Sequence, residues 1–148
     1  MTDTSLTHAN TRQPFSLDLR AEPEWLLRLA LASVFVFHGI SKFLNLEAGA
    51  QMMGQPLLIW GLVAFAEIAG GLGILVGGAI AGRPGDAITR LSGLAIAPVM
   101  LGAIAMVHWG RWNFVATESH PMGGMEFQVV LLLMALFFLV KGNRRVDS

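Results

Sequence analysis

Five ionisable side chains sit where an apolar chain should have none: His38, Lys42, Glu67, His108 and Glu126. Imidazoles can donate to a carbonyl oxygen, an ammonium group can stabilise developing negative charge, and carboxylates can pass protons. Such groups are costly in hydrocarbon, at about 2.5–3.5 kcal/mol for each charge at a bilayer centre on insertion scales. Each therefore needs a partner, water or a functional reason. Lys42 paired with Glu67 or Glu126, with imidazoles bridging, would keep the buried charge low.

The elements that must position them are four apolar blocks of the 148-residue chain, which is 54% hydrophobic and only 14% charged. An ordinary soluble domain carries roughly a quarter charged residues. Helices are expected over about 25–46, 57–80, 91–110 and 122–141, each near the ~20 residues that span a hydrocarbon core. Stretches such as LLIWGLVAF and VVLLLMALFFLV offer no polar outer face for a soluble bundle. The expected fold is all-α, a transmembrane four-helix bundle over residues 24–142, with a polar N-terminal tail (1–23) and a C-terminal tail (143–148). The bilayer is then its first partner. The small residues of ALAS lie inside the first apolar block rather than after it, so that block reads as a retained helix.

Charge sets an orientation. Arg12, Arg20, Arg28, Arg83, Arg90, Lys141, Arg144 and Arg145 fall on one side, against Lys42 and Arg111 on the other. By the positive-inside rule both termini are expected to be cytoplasmic. All five ionisable residues then belong to the outer half of the bundle, with Glu67 closest to the midplane at ~1.5 Å of rise per residue. At ~100° per residue, Arg28, His38 and Lys42 also share one side of the first helix. A shared polar cavity follows, in which His38, Lys42 and His108 would bind a cofactor and Glu67 with Glu126 would relay protons. His8 and His120 read as tail and loop residues, and Pro98 predicts a kink within the third helix. Ala69, Gly73, Gly77 and Ala81 form a small-residue stripe for close helix packing.

Net charge is zero with no basic run, which argues against a nucleic-acid partner, and there is no cysteine for disulfides, thiolate metal sites or thiol chemistry. No metal site is expected.

The order and spacing of VFVFHGISKF, AEIAGGLGILVGG, TRLSGLAIAPVMLGAIAMVHWG and GGMEFQVVLLLMALFFLVKGN make the sequence resemble the DoxX family of small bacterial membrane proteins, with the related DoxD-type subunits, over roughly residues 23–145. The resemblance implies a multi-pass protein of the bacterial inner membrane. Some relatives are linked to quinone-dependent oxidation of thiosulfate, others to redox-stress complexes or to resistance toward catechols and quinones. The leading expectation is a quinone-binding membrane component of a redox system, acting with a redox partner subunit because no flavin, nicotinamide or iron–sulfur motif is present. The alternatives are a haem held between His38 and His108, or a transport or assembly protein working as a homo-oligomer.

Overall fold

A computed structural model of the protein describes residues 23–143. Among them there is no strand. The helices are α1 (Glu24–Leu44), α2 (Leu46–Met52), α3 (Leu57–Ala79), α4 (Gly82–Ala103), a π-helical turn over Ile104–His108 that continues α4, and α5 (Glu126–Lys141). Arg12, Arg20, Arg144, Arg145 and His8 lie outside the described residues.

Among the described residues, three helices are long and apolar enough to cross a membrane: α1, α3, and α4 with its π-helical turn. Their outer faces support the same conclusion, since Phe37, Leu58, Leu91 and Val140 stand largely exposed. Apolar exposure on that scale marks contact with something other than water. The chain is a membrane protein.

Two elements depart from the sequence expectation. The third helix, expected over 91–110, begins earlier, at Gly82, so that GRPGD is helical and the Gly82 φ of +78° makes the corner. Pro84 then occupies the first turn, where its missing N–H costs nothing. Between the expected helices 25–46 and 57–80 the chain also forms a short helix that was not expected, α2.

In sequence order, α1 packs on α3, α3 on α4 and α4 on α5, while α1 and α5 touch little. Glycines set these approaches. A Cβ on Gly71 would lie 2.9 Å from Val36, and one on Gly77 would strike Thr89 Oγ1. The small-residue stripe of α3 thus serves packing at Gly73 and Gly77, both against α4. The core beneath is Leu31, Phe35, Ile74, Ile96, Met100, Leu131, Ala135 and Phe138.

Gly93 shows how tight the α4–α5 seam is. A Cβ there would lie 2.5 Å from Ala135 O and 2.8 Å from Leu139 N, both backbone atoms that cannot rotate away. Gly93→Ala is therefore expected to lose about 1–3 kcal/mol, read as a lower midpoint in thermal unfolding of the detergent-solubilised protein. Gly102→Ala, with nothing within 4 Å of the added carbon, should be neutral or stabilising by up to ~1 kcal/mol through helix propensity.

The end of the bundle holding the start of α1 and the finish of α5 is tied by polar contacts. Arg28 is 3% exposed. It donates to Ile74 O at 2.7 Å, Thr89 Oγ1 at 3.2 Å and Asn143 Oδ1 at 2.7 Å, and lies over the Phe138 ring. Arg90 donates to the carbonyls of Leu139, Val140 and Lys141, which the end of α5 leaves without helical partners. Glu24 pairs with Lys141. This terminal end is locked, and the distal end holds the cavity.

Candidate functional site

Lys42 and Glu67 form the centre of the distal half. Lys42 lies in the last turn of α1 and Glu67 in the middle of α3, and the α1–α3 packing brings the ammonium to 2.9 and 2.8 Å from the two carboxylate oxygens. Glu67 is 3% exposed and Lys42 19%. Gly39 enables this closeness: a Cβ there would meet Ile68 Cγ1 at 2.6 Å and Ala64 O at 2.9 Å, so a larger residue would push the two helices apart. The Lys42 ammonium also stands 5.5 Å from the centroid of the Trp60 ring, where an indole face attracts a cation.

The pair opens onto a cavity of about 580 Å³, within the range of small-molecule sites. His38, Lys42, Trp60, Glu67, His108 and Gln128 supply its polar lining. Between them stand Met52, Met53, Met100, Met106 and Met122, five of the eight methionines of the chain. Thioether side chains adapt their shape and make favourable contacts with aromatic rings. Such a wall suits a flat, largely apolar ligand.

His108 reaches the cavity through an irregularity in α4. Pro98 removes one backbone donor inside the helix, and Ile104–His108 then winds as a π-helical turn. The wider turn shifts every side chain beyond it relative to an unbroken α-helix. His108 is buried, with Nδ1 3.0 Å from Gly123 O and Nε2 2.9 Å from Gln128 Nε2. The segment that supplies Gly123 is itself ordered: Gly124, Met125 and Glu126 donate their N–H groups to the carbonyls of Asn113, Arg111 and Trp112. Gly123 has a φ of +78°, and a Cβ on it would strike Phe114 O, so glycine is required there.

Of the five residues expected to share a cavity, the structure brings together His38, Lys42, Glu67 and His108. Glu126 is the exception. It stands at the first turn of α5, where its carboxylate accepts from Phe114 N at 3.4 Å, and it does not line the cavity. Its expected place is filled by Gln128, which the sequence reading passed over because an uncharged amide raises no alarm in an apolar block. Both ring nitrogens of His108, an axial ligand in the haem alternative, are engaged here, by Gly123 and Gln128. Among the described residues no three His, Cys, Asp or Glu side chains gather as a metal site. His120 belongs to the loop, bonded to Trp109 O and next to Ser119.

The DoxX family profile matches residues 25–109, more than half of the chain and most of the cavity wall. The chain belongs to the DoxX family. Among curated proteins it is similar to one from Bacillus subtilis (strain 168) named "Putative oxidoreductase CatD", with 30% identity over 122 residues, covering 80% of this chain and 78% of that protein. No solved structure matches. The DoxX match ends one residue after His108, so Gln128 and the rest of α5 lie beyond the matched segment.

Proposed function

We propose that this DoxX protein is the membrane component of a quinone-linked redox system in the bacterial inner membrane, and that its methionine-walled cavity holds a quinone-like ring. One observation carries the reading. A buried ammonium–carboxylate pair faces an apolar cavity of ring-binding size, with two imidazoles on the same walls. The relative named as an oxidoreductase supports the same class of chemistry.

In this reading α5 is the fourth span. Its 16 residues cover ~24 Å at 1.5 Å per residue, and the ordered segment before it completes the crossing. By the positive-inside rule, Arg28, Arg83, Arg90 and Lys141 at the terminal end support a cytoplasmic side for it. The cavity then lies in the outer leaflet. Because α1 and α5 touch little, a lipid-soluble ligand can enter between them directly from the bilayer.

A bound quinone would supply reversible two-electron, two-proton chemistry. The protein side is electrostatic. An ammonium has three N–H donors; two directions are taken by the Glu67 oxygens, and the third is available to a ring oxygen. There Lys42 stabilises negative charge as electrons arrive, and Glu67 fixes the ammonium while remaining within reach of a proton on it. His38, one helical turn before Lys42, offers a second donor at the cavity mouth. Electrons enter or leave through a redox partner subunit, because the chain has no flavin or nicotinamide fingerprint.

The test is anaerobic titration of purified protein with a decyl-substituted benzoquinone. Wild type should bind. Lys42→Met/Glu67→Gln, with its fold checked by thermal unfolding, should bind at least about tenfold more weakly, as expected for a lost hydrogen bond from a charged donor. Equal affinities in two folded proteins would remove the ion pair from the site.

A further inference from the structure

We propose that Gln128 makes the cavity selective for the hydroxyl-bearing, hydroquinone form of its ring over the quinone. The proposal deepens the quinone-site reading and rests on it.

His108 Nδ1 lies 3.0 Å from Gly123 O, and a carbonyl oxygen has no hydrogen to give, so Nδ1–H is the donor. A neutral imidazole then keeps its lone pair on Nε2. Gln128 Nε2 is 2.9 Å away and must donate into it. The orientation of the Gln128 amide is thereby set by the histidine, which is in turn set by the backbone of the glycine turn. The consequence falls on the other end of the amide. Gln128 Oε1 is buried and finds no hydrogen-bond donor among the described residues.

No donor that shares the cavity reaches it. The Lys42 ammonium is held by both oxygens of Glu67. Trp60 Nε1 is likewise buried without a partner, but it stands against Gly49, where an added Cβ would approach it to 2.6 Å. It therefore faces α2. The titratable groups sharing the cavity with His108 are His38 and Lys42 from α1 and Glu67 from α3; α2, α5 and the lining part of the loop add none.

A buried acceptor without a donor is unfavourable, and a ligand that supplies one removes the penalty. A hydroquinone hydroxyl donates to Oε1. A quinone carbonyl presents only lone pairs and meets Oε1 acceptor to acceptor. Sites built to hydrogen-bond a hydroxyl reject analogues that lack it far more strongly than apolar pockets reject a missing methylene. Gln128 is thus a specificity-determining residue, and His108 is the positioning residue behind it. Tighter binding of the reduced form raises the reduction potential of the bound ring, by ~30 mV for each tenfold of preference in a two-electron couple.

The experiment is anaerobic equilibrium dialysis of the purified full chain in detergent at about pH 8, above the ordinary imidazole range. The probes are decyl-1,4-benzoquinone, its hydroquinone, and the hydroquinone dimethyl ether. Wild type should bind the hydroquinone roughly tenfold or more tightly than the quinone, and the ether no better than the quinone. Gln128→Leu should bind quinone and hydroquinone about equally. The ether comparison needs no substitution, so it decides the matter even where Gln128→Leu fails to fold. Equal wild-type affinity for quinone and hydroquinone, or a preference that survives in folded Gln128→Leu, overturns the role of Gln128 and leaves the quinone site standing. Absence of binding by all three rings overturns the quinone site itself, and this proposal with it.

Discussion

Replacing Lys42 by methionine is expected to destabilise the protein by about 3–5 kcal/mol, the range for removing one partner of a buried ion pair. Methionine keeps the apolar length of the side chain, so little packing is lost. What is lost is the one ion-pair partner, among the described residues, of a carboxylate that is 3% exposed. The double variant Lys42→Met/Glu67→Gln should recover most of that stability, because no formal charge is then stranded. Denaturant unfolding of the four proteins in a double-mutant cycle measures this. A coupling energy of several kcal/mol is expected, and simple additivity would mean that the two groups do not depend on each other. Both variants should bind quinone poorly. Stability and binding thus separate in the double variant, which distinguishes a site from a structural tether.

The second large effect is expected at the opposite end. Arg28→Met removes three hydrogen bonds from a charged donor and the contact over Phe138. Thr89 Oγ1, buried, and Asn143 Oδ1, partly buried, each lose a donor. A loss of about 3 kcal/mol is expected, accompanied by faster proteolysis near Asn143 as α5 loosens. The molecules that remain folded should bind quinone as wild type does, since Arg28 and Lys42 are 14 residues apart on one helix, or ~21 Å. A binding defect in folded Arg28→Met would mean that the locked end communicates with the cavity.

The legible parts of this protein are those governed by hydrophobicity and cost of burial. Apolar blocks near 20 residues long mark α1 and α3, and α4 differs chiefly in starting early. A carboxylate in mid-helix and a lysine near a helix end, at comparable depth, are enough to suggest the Lys42–Glu67 pair. Less legible were features set by a few degrees of rotation. Glu126 and Gln128 differ by two positions, which on a helix is roughly 200°, so the cavity takes one and not the other. That choice depends on α5 beginning at Glu126, which depends in turn on backbone bonds between residues 111–113 and 124–126. No periodicity encodes such a contact.

The π-helical turn was equally hidden. Pro98 announced a kink, but the extra winding occurs at Ile104–His108, and it is this that lets His108 reach both Gly123 and Gln128. The short helix α2 escaped notice because seven residues with two small side chains carry little amphipathic pattern. Gln128 was missed for a chemical reason. Charge advertises itself in an apolar chain, whereas an amide becomes noticeable only when its oxygen is found buried with nothing to accept from.

Photolabelling of the protein in native membranes with an azidoquinone tests whether the distal cavity binds a quinone ring. The label should attach to peptides from Val34–Lys42, Pro98–His108 and Phe127–Leu131, and excess unlabelled quinone should protect them. Label spread over the outward-facing residues Leu58, Leu91 and Val140, with no protection by competitor, would show a quinone dissolved in lipid and contradict the account.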